Sequence, residues 1–339
     1  MKILVTGGAG FIGSNFVHYW SEKYPNDEIR VLDKLTYAGH KENLQGLNID
    51  FVQGDICDYT VVDQALNGIE VVVHFAAETH VDRSITGSSV FFKTNVVGTQ
   101  VLLQESLEHK VKLFHHVSTD EVFGALPLDK PNLKFDESSL YDPRSPYSAC
   151  KAASDHFVRA WYHTYALPVT ITNSSNNYGP YQDPEKLIPR FITNLFEDKK
   201  VPLMGKGENV RDWIHVSDHC RAIDAIIHSA LKDENIIGQT YCVGGDSERT
   251  NIQVTKAILK LLGKNDSWIE HIEHRLGHDA RYAINPTKIN RAFGWKPEYQ
   301  FEDWLAKTVD WYKINEWWWR PLKENRPMVD PGEQKKYAR

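Results

Sequence analysis

The sequence has few cysteines and no long apolar run. Its four cysteines are scattered among 339 residues without Cys-x-x-Cys spacing, so neither disulfides nor a zinc site is predicted. His215 and His219 lie four residues apart but lack the glutamate of the zinc-protease pattern. No stretch approaches the roughly 18 consecutive apolar residues of a membrane span, and no signal peptide precedes the first apolar segment. We therefore expect a cytoplasmic protein with no metal and no membrane partner.

Positive charge is neither in excess nor clustered. The chain has 39 Lys and Arg against 45 Asp and Glu, a formal net charge of −6. It therefore lacks the basic surface of a nucleic-acid-binding protein. A hydrophobic content of 41% and 339 residues are enough for a large core and two lobes. These absences leave a small molecule as the expected partner.

Six short apolar segments alternate with helix-length connections in the first half of the chain. The predicted strands are Lys2–Thr6, 29–32, 49–52, 71–75, 112–118 and 168–172. Long connections favour a parallel sheet, and nearly continuous apolar strands are expected where helices cover both faces. The pattern predicts an α/β fold with a Rossmann doubly wound parallel sheet over residues 1–172.

The alternation ends after residue 172. Helices are predicted near 216–232, 251–262 and 301–313. We expect residues 173–339 to form a smaller mixed α/β lobe that closes a substrate cleft over the carboxyl edge of the sheet, with a segment near 213–240 joining the Rossmann domain.

Three adjacent tryptophans and a polar tail end the chain. On a helix, Trp317, Trp318 and Trp319 would point in different directions. A contact with another lobe or subunit and simple packing by the tail both remain open. The stretch of about 320–339, rich in Pro, Lys and Glu, is predicted to be an extended tail or a partner contact.

A glycine-rich turn joins the first predicted strand to a helix. Residues 6–13 read TGGAGFIG, in which three glycines have Gly-x-x-Gly-x-x-Gly spacing. These glycines leave room for the turn, for a pyrophosphate and for helix–strand packing, and the helix N-terminus faces the phosphates. Asp33 ends the second strand, where its carboxylate would accept hydrogen bonds from the adenosine ribose and repel a 2′-phosphate. The sequence predicts NAD rather than NADP, although Lys34 weakens that exclusion.

Residues 145–151 have the pattern of a helix start. Ser145 suits the N-cap and Pro146 the first helical position. Tyr147 then lies in the first turn, and Lys151, four residues later, shares its face. The helix N-terminus, the ammonium and an oxidised nicotinamide all favour tyrosinate. We therefore expect the pKa of Tyr147 to be lowered from about 10, which would make it a base for an alcohol undergoing oxidation.

Together these motifs resemble the extended short-chain dehydrogenase/reductase superfamily, in which a Ser or Thr accompanies the Tyr-x-x-x-Lys pair. Ser118 or Thr119, at the end of a predicted strand, stands at that position. Asp120 and Glu121 follow directly, an acidic pair that sugar-nucleotide epimerases lack there and that resembles the dTDP-glucose 4,6-dehydratase family. Further matches to this family occur at residues 76–84, 175–180, 184–189, 211–213 and 277–279.

The resemblance implies a chemistry for the catalytic residues, which are Thr119, Asp120, Glu121, Tyr147 and Lys151. Tyr147 would deprotonate the carbon 4 hydroxyl of glucose as hydride leaves for NAD⁺. Glu121 would remove the acidified carbon 5 proton, and a protonated Asp120 would donate to the hydroxyl leaving carbon 6, to which the hydride returns. Neighbours on a strand point to opposite faces, so the strand must end before Asp120 and the chain must turn there. The two carboxylates also require pKa values that are pushed apart.

The resemblance also implies binding residues and an assembly. The cofactor contacts are Gly7, Gly10, Phe11, Ile12, Gly13, Asp33, Asp55, Ile56, Ala76, Tyr147 and Lys151. The contacts to a nucleotide-sugar substrate are Ser84, Thr119, Asn177, Lys186, Arg211 and Arg281, with arginine favoured because its guanidinium donates paired hydrogen bonds to phosphate. Helices near 84–107 and 145–166 would form a homodimer contact.

Departures from the family pattern leave the substrate open. Asn173 and Ser174 stand where an Arg-Cys pair is frequent, Ala280 replaces a frequent Arg, and His215 replaces a common aromatic residue. The nucleotide base is therefore not assigned, and UDP-glucose or another nucleotide sugar remains an alternative to dTDP-glucose. An alternative of another class is a non-catalytic NAD-binding sensor on the same fold.

Overall fold

The computed structural model describes residues 1–325, so most of the predicted tail lies outside the described residues. The strands are β1 Lys2–Thr6, β2 Glu28–Asp33, β3 Asp50–Gln53, β4 Val71–His74, β5 Leu113–Thr119, β6 Val169–Ser174, β7 Asn176–Tyr178, β8 Val201–Met204, β9 Val210–His215, β10 Thr240–Val243, β11 Glu248–Thr250 and β12 Ile269–Ile272. The α-helices are α1 Phe11–Lys23, α2 Tyr59–Leu66, α3 Val81–Thr86, α4 Ser88–Phe91, α5 Thr99–Glu108, α6 Pro146–Tyr165, α7 Leu187–Phe196, α8 Val216–Ala230, α9 Asn251–Leu261, α10 Thr287–Phe293, α11 Phe301–Ile314 and α12 Glu316–Glu324.

A seven-stranded sheet in the order β10-β6-β5-β4-β1-β2-β3 forms the centre of the molecule. Every neighbouring pair in it is parallel. One apolar core lies between the sheet and the helices α1 and α8, and a second lies on the opposite face beneath α2, α5 and α6. The predicted doubly wound α/β fold is confirmed, and the order reverses beside β1, next to the glycine turn.

The smaller lobe has its own core and two small sheets. One sheet has the order β11-β9-β7, and the other pairs β8 with β12. Helices α7, α9, α11 and α12 pack around an aromatic-rich core. Between these elements the chain returns to the central sheet, where β10 pairs with β6 and α8 packs on α1. The exact boundary between Rossmann domain and lobe stays a prediction.

The three adjacent tryptophans lie on α12 and divide between core and surface. Trp318 and Trp319 are buried in the lobe core, whereas Trp317 is 54% exposed. The indole of Trp319 donates a hydrogen bond to the Tyr312 carbonyl at 2.7 Å, and that of Trp318 donates to Asn43. Two of the three therefore pack within the chain. None of the helices among residues 1–325 combines the length and apolar character needed to cross a membrane.

Candidate active site

The glycine turn has the close geometry that a dinucleotide pyrophosphate requires. Gly7 adopts a φ of 69°, in the left-handed region that favours glycine. A Cβ atom on Gly13 would lie 2.2 Å from the Gly7 carbonyl oxygen, and one on Gly7 would lie 2.6 Å from the Ala76 backbone. Helix α1 begins directly after Gly10, so its N-terminus faces the turn. Side chains at Gly7 and Gly13 would collide with neighbouring backbone atoms, so the tight turn requires glycine at both positions.

A long cleft runs from this turn across the carboxyl edge of the sheet. All predicted cofactor residues line it, namely Gly7, Gly10, Phe11, Ile12, Gly13, Asp33, Asp55, Ile56, Ala76, Tyr147 and Lys151. The segment 36–39, which sequence analysis missed, lines it as well. The only sequence signal for that segment is its place just after Asp33.

Asp33 stands at the end of β2 with its carboxylate oriented by the backbone. It accepts hydrogen bonds from the backbone N–H of Ala9 at 2.9 Å and of Leu35 at 2.8 Å. Each carboxylate oxygen has a further lone pair with which to accept a ribose hydroxyl. Lys34, which weakened the predicted exclusion of a 2′-phosphate, donates to Asp55 at 2.8 Å. The geometry fits a ribose with free hydroxyl groups.

The chain turns directly after β5 and brings two carboxylates into the cleft. The strand ends at Thr119, and a 3₁₀ helix spans Asp120–Phe123. The Thr119 hydroxyl caps this helix by accepting from the Glu121 N–H at 3.3 Å. Both Asp120 and Glu121 line the cleft, as the predicted turn requires.

The two carboxyl groups have unequal acidities. Burial raises the pKa of Asp120 well above its usual value, and the charge of Glu121 raises it further. Burial also raises the pKa of Glu121, but the positive charges of Arg275 and Arg211 oppose that shift. Asp120 is therefore held protonated more firmly than Glu121, which suits an acid beside a base.

Tyr147 and Lys151 project from the first turns of α6 into the same cleft. Ser145 caps the helix in a reciprocal capping box with Ser148. The Lys151 ammonium is buried and donates to the Val117 carbonyl at 2.8 Å. Of the two candidate hydroxyl groups, that of Thr119 acts on Tyr147 and favours a lower pKa of the phenol.

The predicted lowering of the Tyr147 pKa is wrong for the protein without NAD⁺. Burial raises this pKa well above its usual value, the charge of Glu121 raises it further, and the Thr119 side chain opposes them. The helix N-terminus and Lys151 favour tyrosinate, but burial and the Glu121 carboxylate outweigh them. Formation of tyrosinate therefore depends on additional positive charge beside the phenol.

A buried carboxylate, Asp155, lies behind Lys151 on the same face of α6. Its Oδ2 accepts from the Tyr141 hydroxyl at 2.7 Å and from the Asn173 amide at 3.2 Å. Its Oδ1 lies 3.3 Å from His116 Nε2, which is 3.4 Å from the Lys151 ammonium. Asp155 was not among the predicted residues, although its four-residue spacing from Lys151 was a signal.

Replacing Asp155 by asparagine is expected to move the alkaline limb of the pH–kcat profile to lower pH. Burial lowers the pKa of Lys151 to about 8, and the charge of Asp155 opposes that shift. Without this charge, Lys151 loses its proton at lower pH, by about one to three units. The other charged or titratable groups around the pair are His74, His116, Tyr141 and Arg159.

Steady-state kinetics at a series of pH values between about 6 and 9, a range that includes the lowered pKa of Lys151, measure this shift. Ser154→Ala is the matched control, because the Ser154 hydroxyl also lies 3.4 Å from His116 Nε2 but carries no charge. An unmoved alkaline limb in Asp155→Asn would contradict this role.

A second part of the cleft lies in the smaller lobe and is lined by cations. The predicted residues Asn177 and Lys186 line both parts of the cleft, Arg211 lines the second part and Thr119 lines the first. Arg190 and Arg275, which sequence analysis missed, add two further guanidinium groups. Arg190 lies one turn after Lys186, and Arg275 just precedes the matched motif at 277–279. Four cationic side chains in one cleft suit a diphosphate.

The cationic side chains are held by their neighbours. The guanidinium of Arg211 donates to the Asp279 carbonyl at 3.0 Å and stacks on Tyr282, 4.3 Å from the ring centroid. The Lys186 ammonium donates to the Thr79 carbonyl at 2.9 Å. Both groups are thereby oriented before any ligand binds.

Two predicted substrate residues lie outside the cleft lining found in residues 1–325. The Ser84 side chain is fully buried, and its hydroxyl donates to the Val81 carbonyl at 2.6 Å. Arg281 donates to Glu248 at 2.8 Å and to the carbonyls of the 130–133 loop. Arg281 lies between Ala280 and Tyr282 in an extended segment, where the side chains of neighbouring residues point to opposite sides. Tyr282 therefore packs against Arg211, and Arg281 points away from it. The structure does not bring either side chain into the cleft lining, and both substrate contacts stay predictions.

This fold and its Tyr-Lys site define an extended short-chain dehydrogenase/reductase with a lobe suited to a nucleotide. Residues 4–308 match the family model of GDP-mannose 4,6 dehydratase. A dTDP-glucose 4,6-dehydratase from Mycolicibacterium smegmatis is 49% identical over 96% of this chain and 97% of that protein. The chain belongs to the dTDP-glucose 4,6-dehydratase family, as its motifs predicted.

Solved structures agree with this assignment. The dTDP-glucose 4,6-dehydratase of Streptomyces venezuelae, solved with NAD bound, is 48% identical and superposes with a TM-score of 0.91, covering 95% of this chain and all of that one. A UDP-glucose 4-epimerase from Thermotoga maritima shares the fold at 29% identity and a TM-score of 0.84, covering 93% of this chain and all of that one. The fold is therefore common to both activities, and the site must distinguish them.

Proposed function

We propose that the chain converts dTDP-glucose to dTDP-4-keto-6-deoxyglucose and water, with NAD as a recycled cofactor. The observation that carries this proposal is the pair of carboxyl groups, Asp120 and Glu121, that line one cleft beside Tyr147 with unequal acidities. Epimerisation at carbon 4 removes no water and needs no such acid and base. The names of the relatives support the same reaction.

Tyr147 acts first, as the base for the carbon 4 hydroxyl. NAD⁺ held along the glycine turn and Asp33 would supply the hydride acceptor for carbon 4 and the hydride donor for carbon 6. Its positive charge would favour tyrosinate, whereas burial and Glu121 favour the neutral phenol. Lys151 adds a second positive charge on the same helix face.

Glu121 and Asp120 then remove water across carbons 5 and 6. The ketone at carbon 4 acidifies the carbon 5 proton, which Glu121 accepts because Arg275 and Arg211 favour its ionised form. Asp120 donates a proton to the hydroxyl that leaves carbon 6, because burial and its neighbour keep it protonated. In the last step carbon 6 receives the hydride taken from carbon 4 and the proton on Glu121 returns to carbon 5, so the sugar undergoes no net change in redox state.

The cationic part of the cleft binds the nucleotide half of the substrate. Lys186, Arg190, Arg211 and Arg275 neutralise the two phosphates, and Asn177 serves as a polar contact nearby. The preference for a thymine base is supported by the named relatives rather than by a particular side chain.

A panel of nucleotide sugars tests activity and base preference together. The purified chain with NAD is incubated with dTDP-glucose, UDP-glucose and GDP-mannose, and the alkali-sensitive 4-keto product is measured. We expect kcat/KM to be highest for dTDP-glucose by at least about tenfold, the equivalent of one lost polar contact. A preference for UDP-glucose would reassign the substrate. If no sugar yields product although NAD binds normally, the result would favour the alternative of a non-catalytic NAD-binding sensor.

We also propose that the chain is a cytoplasmic homodimer. Its contact would involve the helices near 84–107 and 145–166, which carry exposed large apolar side chains. These include Val90, Phe92 and Tyr165, each about half exposed.

A further inference from the structure

Trp318, the middle tryptophan of α12, reaches from the smaller lobe to the Rossmann domain. Its buried indole N–H donates to the Asn43 side-chain oxygen at 2.6 Å, across 275 residues of sequence. The ring also packs edge-on against His40, with centroids 6.2 Å apart. His40 and Asn43 both lie in the segment that follows β2, beside the glycine turn.

Asn43 carries this contact into the glycine turn. Its amide donates to the Ala9 carbonyl at 2.9 Å, and the His40 N–H donates to the same carbonyl at 2.9 Å. The Ala9 N–H in turn donates to the Asp33 carboxylate at 2.9 Å. Trp318 is therefore three hydrogen bonds from the carboxylate that faces the ribose position. The side chains of Asn43 and Asp33 are both buried, so lost partners are not readily replaced by water.

Further contacts between the smaller lobe and the Rossmann domain lie around the hydrogen bond from Trp318 to Asn43. Tyr181 of the lobe packs against Trp318 and stacks on His18 of α1, with ring planes only 3° apart. The Asn15 amide donates to the Pro180 carbonyl at 3.0 Å. Helix α12 is thereby fastened to α1 and to the glycine turn, whereas the neighbouring Trp319 bonds only within its own lobe.

We propose that Trp318 is a positioning residue for NAD retention, acting through Asn43 and Ala9 on the glycine turn and Asp33. The inference rests on the proposed function only for the identity of the dinucleotide. An indole N–H is a donor only, so without it the buried Asn43 oxygen has no donor and the amide loses its fixed orientation. An enzyme that reuses its NAD in every turnover benefits from slow release of the cofactor.

The experiment measures NAD binding to the full chain after removal of bound nucleotide, by calorimetry and by the rate of NAD release, with no sugar present. We expect Trp318→Phe to weaken NAD binding about 10- to 100-fold, since a buried hydrogen bond is lost and its partner is left unsatisfied. Trp319→Phe and Trp317→Phe are the matched controls, one buried and one exposed, and both are expected to remain within about twofold of the parent.

Asn43→Ala tests the same link from its other side and replaces Trp318→Phe if that variant does not fold. Its effect on NAD binding is expected to be at least that of Trp318→Phe, because the bond to Ala9 is lost too, and the double variant is expected to be no weaker than Asn43→Ala alone. Equal weakening by Trp318→Phe and Trp319→Phe, or additive effects at 318 and 43, would overturn the inference. Since no sugar is involved, a failed nucleotide-sugar panel leaves this result independent of the proposed reaction.

Discussion

Replacing Glu121 by glutamine is expected to leave oxidation at carbon 4 possible and to stop the reaction at the next proton transfer. Glutamine has nearly the same shape but cannot accept the carbon 5 proton. Turnover should fall about 10²- to 10⁴-fold, the usual contribution of a positioned general base. The measurement is exchange of the carbon 5 proton with deuterated water, followed by NMR, alongside formation of the 4-keto product.

Asp120→Asn is the matched partner of Glu121→Gln. It removes the acid and keeps the base, so carbon 5 exchange should continue while loss of water slows. If Glu121→Gln stops carbon 5 exchange and Asp120→Asn does not, the base and the acid are assigned to different residues. Persistent carbon 5 exchange in Glu121→Gln would remove Glu121 from the role of base.

Replacing Tyr147 by phenylalanine is expected to slow product formation and carbon 5 exchange together. The carbon 5 proton becomes acidic only once carbon 4 is a ketone, and Tyr147 is the base for that first step. The expected loss is again about 10²- to 10⁴-fold. Tyr165→Phe, the same chemical change at an exposed position at the end of the same helix, is the control and should keep full activity. Carbon 5 exchange at the parent rate in Tyr147→Phe would show that another group starts the reaction.

The sequence was most informative where local rules and the fold coincide. The glycine spacing, the apolar strands and the Ser145 cap each require a particular backbone, and the structure has that backbone at every one of them. The turn after Thr119 was also predictable, because two adjacent carboxylates cannot serve one cleft from a continuing strand.

Contacts between distant segments were not predictable in the same way. Arg281 has the side chain that a phosphate requires, but an extended segment presents alternate residues, and the register of that segment is set by its bridge to Val210. Asp155 and Arg275 were missed because their importance depends on what packs beside them. The same holds for Trp318, whose partner Asn43 is fixed only by the tertiary fold.

The central claim is that hydrogen moves from carbon 4 to carbon 6 of one sugar molecule. dTDP-glucose labelled with deuterium at carbon 4 tests it directly, with NMR and mass spectrometry of the product formed by the full chain with NAD. The account predicts a 4-keto-6-deoxy product that carries the deuterium in its carbon 6 methyl group. Deuterium returned to carbon 4 of an intact hexose, as in an epimerase, or lost to solvent would contradict it.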